Sequence, residues 1–295
     1  MNEQLEALRS ALAENIRQRV AGPDAAAKAA AMRDATGPRW FTDDSPIVRV
    51  HSDASMFIGG LRALLLQSLH PLAMAGVAIH SDYRNDPWGR LQRTADFLAA
   101  TSFGSAEVAE QAVARVRSVH ERVKGTAPDG REYSANDPHL LRWVHVAEVD
   151  SFLAAHQRYG AHPLNQDERN RYVAETAVIA RALGVPAPPM SEQALRDQIR
   201  QFRPELASTK EARDAAKYLV LQPPLSLPAR AGYSLIAAAA VALLPRWARL
   251  PLRLPYLPIA EGLVSQPLGG VVTRTFRWAM EGEPEAGFAA RTNAL

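Results

Sequence analysis

Apolar side chains recur every three to four residues along almost the whole of this chain, and strict alternation of apolar with polar is nearly absent. A stripe of that period faces a core from a helix, whereas a half-buried strand needs period two. An all-α fold is therefore expected. The punctuation agrees. Asp86-Pro87, Asp137-Pro138 and Ser105 each supply an oxygen that can cap a helix start, and both prolines suit the first helical position. The run "ALGVPAPPM" stops a helix at Gly184 and then forbids its continuation.

On this basis helices are expected at about 2–20, 53–78, 87–101, 105–124, 138–159, 165–183, 191–201, 209–220, 227–245 and 268–280. The loop "KGTAPDGREYSANDPH" (124–139) carries Pro-Asp-Gly turn chemistry and suits a small hairpin. The segment "LPRWARLPLRLPYLP" (244–258) is too proline-rich for one helix and is expected to wrap the surface as a strap. The 295 residues show no internal repeat and no linker between two composition regimes. The outline is an N-terminal helical extension (1–37), one α-domain (38–280) and a polar C-terminal tail (281–295).

Composition removes several function classes. With no cysteine, disulfides, thiolate-bound zinc, iron–sulfur clusters, c-type haem and cysteinate-ligated haem are all excluded. The net charge is only +3, and no basic stripe is interleaved with aromatics, so nucleic acid is not an expected partner. The apolar run "AGYSLIAAAAVALLP" (231–245) falls short of the roughly 20 residues that a spanning helix needs. A buried helix is expected there, with peripheral contact to a membrane surface as the alternative. The start, "MNEQLEALRSALAENIRQRVAG", is charged and amphipathic, without an apolar signal region. A soluble, cytoplasmic protein is the expectation.

Candidate chemistry sits on three helix faces. In "SAEVAEQAVARVRSVHERVKG", Ala109, Ala112, Val113, Val116, Val119 and Val123 form one stripe, and His120 lies in it. Its imidazole is expected to point inward, either as a core histidine satisfied by a carbonyl or as a ligand to a metal or haem. His145 shares a face with Leu141, Val144, Glu148 and Phe152. Two inward histidines on successive helices favour a ligand role. Glu148 can accept a hydrogen bond from an imidazole or stay neutral in the core. On a helix starting at Pro87, Arg90, Arg93 and Thr94 share one face that continues to Phe97 and Leu98. Two readings stand: exposed arginines with a back-bonding threonine, or guanidiniums placed for carboxylates such as haem propionates or an acidic substrate. In the second, the Thr94 hydroxyl is close to the reacting centre.

The other motifs are weaker. His70, before Pro71, reads as a structural residue or pocket wall. "HSD" occurs at His51–Asp53 and His80–Asp82 and could begin a facial triad for non-haem iron, but such triads usually sit on a β-scaffold. His145-x-x-Glu148 reverses the di-iron motif and occurs once. There is no P-loop, Rossmann glycine motif or Gly-x-Ser-x-Gly elbow.

The run "GGLRALLLQSLHPLAMAGVAIHSDYRNDPWGRLQRT" resembles the MpaB-type and latex-clearing-protein oxygenase family, as do "VRSVHERVKG", "YSANDPHLLRWVHVAEVDSF" and "ALGVP". The likeness covers about residues 38–280. It implies a globin-like all-α fold holding haem b, with one histidine on the iron and an Arg-x-x-Lys-Thr cluster on the distal side. Carried over, the arginine is Arg90, the threonine Thr94, and the lysine position holds Arg93. The proximal histidine matches His120, with His145 the alternative. An arginine effectively cannot lose its proton to ligate iron, so a lysine-capped resting state is not expected here. The implied activity is an oxidoreductase using dioxygen or peroxide on a small hydrophobic substrate. The rivals are a haem-binding protein without turnover and a metal-free helical domain for a lipid or partner. Rubber is a poor match for a chain read as cytoplasmic.

Overall fold

The computed structural model describes residues 2–280 apart from 26, 29 and 31–36. In chain order the helices are α1 (Asn2–Val20), α2 (Pro46–Ser52), α3 (Met56–Gln67), α4 (Pro71–His80), α5 (Pro87–Phe103) and α6 (Ala106–Glu121). They continue with α7 (Pro138–Tyr159), α8 (Gln166–Leu183), α9 (Glu192–Phe202), α10 (Lys210–Leu221), α11 (Leu227–Leu243), α12 (Arg246–Arg249) and α13 (Gln266–Met280). Between α6 and α7 the strands β1 (Lys124–Thr126) and β2 (Glu132–Ser134) pair antiparallel, with Gly125 opposite Tyr133. The chain is all-α, with the small hairpin where turn chemistry placed it.

Two elements differ from expectation. The helix expected over 53–78 is two helices, α3 and α4, which meet at 107°. Pro71 causes the break. Its ring disfavours a helical conformation at the preceding residue, and His70 is extended at φ −87°, ψ 114°. The second difference is α2, seven residues opened by Pro46 and too short to show a period.

The core is built on the crossing of α3 with α7. Gly59 permits that approach: a Cβ there would lie 2.9 Å from Cδ1 of Phe152 and 3.1 Å from its Cα. Trp143 is fully buried, and its Nε1 donates to the Gln67 carbonyl at 3.1 Å. Arg62 is only 4% exposed, yet it is satisfied. It donates to Ser151 Oγ at 2.6 Å, Asp150 Oδ2 at 2.7 Å and the Leu243 carbonyl at 3.1 Å, so it joins α3 to α7 and α11. α8 and α9 flank α7, and α13 lies on α11.

The proline-rich strap is short turns and the four-residue α12. Buried Arg249 pins it, donating to the carbonyls of Ala242 and Leu244 and to Glu261 Oε1, each at 2.6 Å. At the other end α1 packs on α5 and α13, and the Arg19 guanidinium sits 5.0 Å above the Trp88 ring. The expected tail (281–295) lies outside the described residues. Among the described residues no single helix is long and apolar enough to cross a membrane; the α3–α4 pair passes on length and composition but is bent.

Candidate functional site

Asp86 caps α5, accepting from the Gly89 N–H at 2.9 Å. One turn on, Arg90 is half-buried and donates to Ser81 Oγ at the end of α4. Among the described residues no carboxylate pairs with it. Burial, helped by the nearby Arg93 charge, holds its pKa below the usual arginine value. Arg93 turns the other way, 69% exposed, with Nη1 at 3.2 Å from Asp86 Oδ2. Thr94 is exposed, and its hydroxyl donates to the Arg90 carbonyl at 3.1 Å. The expectation of one inward face is therefore corrected. α4 offers a wall to Arg90 alone, while Arg93 is drawn to the capping carboxylate and Thr94 back-bonds as a solvated threonine does.

Ser105 caps α6, and Ala109 and Val113 carry its buried stripe. The stripe ends early: Val119, expected inside, is exposed. His120 is half-buried, and its Nδ1 is buried with no hydrogen-bond partner. Burial pushes its pKa down, and the Asn136 side chain opposes that shift. α4 approaches the chain just past the end of α6 at one point and Arg90 at another. A Cβ on Gly76 would lie 3.7 Å from Val123 Cγ1, three residues past His120, while Ser81 meets Arg90. Gly76 and Ser81 stand only about 7.5 Å apart along the helix axis.

His145 lies deeper, on α7. Its Nε2 is buried and unpartnered, and burial lowers its pKa to about 4, so the ring is neutral near pH 7. One turn on, burial raises Glu148 to about 7. The Glu148 charge acts in turn on fully buried Tyr172 of α8. The Tyr172 hydroxyl is 3.3 Å from His51 Nε2, and His51 Nδ1 is 2.7 Å from Ser102 Oγ. A buried polar chain thus runs through α5, α2 and α8 toward α7. Sequence reasoning missed Ser102 and Tyr172, which carry no local motif.

The "HSD" pairs serve structure. Asp53 takes the Arg277 guanidinium at 2.8 and 3.0 Å and the backbone N–H groups of Ser55 and Ala161 at 2.7 and 3.2 Å. Nothing is left for a metal beside His51. His80 Nε2 sits 3.1 Å from the Tyr133 hydroxyl.

A further cluster forms where three distant segments meet. His70 lies in the α3–α4 corner, His139 in the first turn of α7, and Glu205 in the 3₁₀ turn after α9. The Ala207 N–H donates to the Leu69 carbonyl at 2.8 Å, which holds that turn against the corner. Glu205 Oε2 is 2.6 Å from His139 Nε2 and 3.7 Å from His70 Nε2. Neither Glu205 nor His139 was singled out from the sequence, because 66 residues separate them.

A model of the family described as ER-bound oxygenase mpaB/B'/Rubber oxygenase, catalytic domain, matches residues 48–280. The chain belongs to this family. No curated protein and no solved structure matches it. The matched span starts in α2 and ends with α13, so α1 stands outside it. Membership makes the chain an oxygenase-type enzyme domain. The donor set is compatible with haem. His120 and His145 are two of the four imidazoles with a buried nitrogen that has no partner, and Arg90 is a guanidinium without a carboxylate among the described residues. A haem asks for such groups as iron ligand and propionate anchor.

Proposed function

We propose that this chain is a haem b-dependent oxygenase that uses dioxygen or peroxide on a small hydrophobic substrate, with His120 as the iron ligand. The carrying observation is the buried, unpartnered Nδ1 of His120, together with half-buried Arg90, which has no carboxylate partner among the described residues. An imidazole nitrogen kept from water without a hydrogen bond costs roughly 1–3 kcal/mol, and a bound group that orders the ring offsets that cost. When bound, haem supplies the activation of oxygen, and the protein supplies access and polarity.

The chain's own groups take the remaining roles. Arg90 binds a carboxylate, because its hydrogen-bond partner among the described residues, Ser81, is a neutral hydroxyl. Arg93 stays at the solvent edge with Asp86 and meets the entering substrate first. Thr94 keeps acceptor capacity on a hydroxyl whose proton is held by the Arg90 carbonyl. Glu148, titrating near neutrality, can hold a proton deep on α7 beside Tyr172. His145 is the second candidate ligand, neutral and with a buried free nitrogen.

A peripheral membrane contact suits the C-terminal strap. Within it Leu250 and Leu257 are each 59% exposed, and just beyond it Ile259 and Leu263 are 78% and 74% exposed. Such side chains favour an apolar surface over water.

The test is the visible spectrum of protein expressed with a haem precursor, before and after dithionite. A Soret band at one haem per chain is expected. His120→Ala should lose it while the helical circular dichroism stays. Full retention in that variant moves the ligand to His145. A folded protein with no Soret band overturns the haem reading.

A further inference from the structure

His70, His139 and Glu205 form a set of two imidazoles and one carboxylate whose ligand atoms all lie within 4.8 Å of one another. We propose that they bind one divalent first-row transition-metal ion, with solvent completing its coordination. The site shares no residue with the proposed haem pocket and does not rest on that reading.

The buried imidazole points to a ligand. His70 is 2% exposed, and both of its ring nitrogens are buried with no hydrogen-bond partner. An imidazole enclosed on both nitrogens without a partner is rare in a folded protein. Its Nε2 already faces Glu205 Oε2 at 3.7 Å. An ion with bonds of about 2.0–2.2 Å holds its ligand atoms roughly 3–4 Å apart. That separation is close to the one His70 and Glu205 keep. The 2.6 Å contact between His139 and Glu205 is a hydrogen bond whose proton the ion would replace.

The surroundings set the type of ion. Phe202 stands 6.4 Å from the His70 ring and 4.7 Å from the His139 ring, and Trp143 stands 6.3 Å from His70. The inner wall is thus aromatic. His139 and Glu205 are each 42% exposed, so solvent reaches the outer side. Two imidazoles exclude magnesium and calcium as the preferred ions and suit zinc, ferrous iron or cobalt. Arg142 Nη2 lies 3.4 Å from His139 Nδ1. Metal on Nε2 leaves Nδ1 protonated, so Arg142 must turn away when the ion binds. The ion would join the α3–α4 corner, the start of α7 and the turn after α9; that turn is tied to the corner by the Ala207–Leu69 backbone bond and to α7 by the His139–Glu205 contact.

The experiment uses the full chain, stripped with a chelator and titrated with Co2+. Visible d–d bands and elemental analysis should show one ion per chain, with the same result whether or not a Soret band is present. His139→Ala and Glu205→Gln change half-exposed residues, so the fold should survive. Each should weaken binding more than about 100-fold, beyond the 10–100-fold that loss of an outer-shell partner costs. Zn2+ should raise the melting temperature of the unaltered protein and leave that of the double variant unchanged. Cobalt bands that persist in the double variant overturn the assignment. So does an unaltered protein that binds no tighter than the double variant, since the three residues are then a hydrogen-bonded clip only.

Discussion

The Tyr172 hydroxyl lies 3.3 Å from Nε2 of His51, and the other nitrogen of that ring lies 2.7 Å from Ser102 Oγ. The ring is spanned on both sides inside the core. Burial is the main cause, and the nearby His156 the lesser one, of a pKa lowered to about 3. His145, lowered to about 4 by burial, shares this behaviour. Both are neutral in the folded state and take a proton only when unfolded. The unfolded chain therefore binds more protons below its ordinary histidine value near 6.5. Stability should be at its plateau above that value and fall as pH drops toward 4. The slope is at most about 1.4 kcal/mol per pH unit for each ring. Urea midpoints measured from pH 7.5 to 5 check this, and a flat profile contradicts it.

Glu148 pulls the other way. Burial raises it from its ordinary value of 4.5 to about 7. Its neutral form is favoured in the fold, so its contribution is full below 4.5 and lost as pH rises through 7. Glu148→Gln should remove that loss. The variant should gain stability relative to the parent at pH 8 and show no difference in slope below pH 4.5. Any ionisation near 7 in the activity profile should also vanish if Glu148 holds the proton. A profile unchanged in the variant assigns that ionisation elsewhere.

The α3–α7 crossing depends on one missing side chain. Gly59→Ala would place a Cβ 2.9 Å from Phe152 Cδ1 and 3.1 Å from Phe152 Cα. The ring can turn, but the backbone must shift. The expected cost is about 1–3 kcal/mol, as for other overpacked cores. Thermal unfolding of the variant reads it, and an unchanged midpoint would show that the two helices can separate freely.

The helices and their caps were legible because each signal is local. Asp86, Ser105 and Asp137 cap within three residues of themselves. The 107° corner was less legible: the apolar period runs straight through Leu66, Leu69 and Met74, and only Pro71 argues against it. The inward histidines were half legible. The stripe of α6 placed both His120 and Val119 inward; His120 is half-buried, whereas Val119 is left open by the neighbouring element. The face of α5 failed for the same reason. A helical period says which residues stand together and not which neighbour covers them. His139 with Glu205, and His51 with Tyr172, were invisible because their meeting is set by tertiary packing across 66 and 121 residues.

The Arg277–Asp53 pair tests how α13 is held. Asp53 is 5% exposed and takes both guanidinium bonds. Arg277→Ala would leave a buried carboxylate with only the Ser55 and Ala161 N–H groups. Removing one partner of a buried pair costs roughly 3–5 kcal/mol. Asp53→Asn in the same background should recover part of that loss, because the uncompensated charge is gone. No recovery in the double variant would mean that the guanidinium acts through packing alone.

Arg90 and Arg93 are three residues apart and should behave differently. Arg90 is half-buried against Ser81 and has no carboxylate among the described residues, while Arg93 is exposed and already paired with Asp86. If Arg90 holds a propionate, Arg90→Gln should lower haem retention, because a charge-assisted bond of about 1.5–3 kcal/mol is lost. That energy corresponds to a weakening of roughly 10- to 150-fold. Arg93→Gln removes an exposed ion pair worth about 0–1 kcal/mol and should leave haem retention nearly intact. Its effect should appear instead in the dependence of rate on substrate concentration. Haem transfer to apomyoglobin measures retention in both variants. Equal loss in the two would place the propionate at the solvent edge beside Arg93. No loss in either would remove the guanidiniums from haem binding and leave His120 to hold the group with apolar contacts.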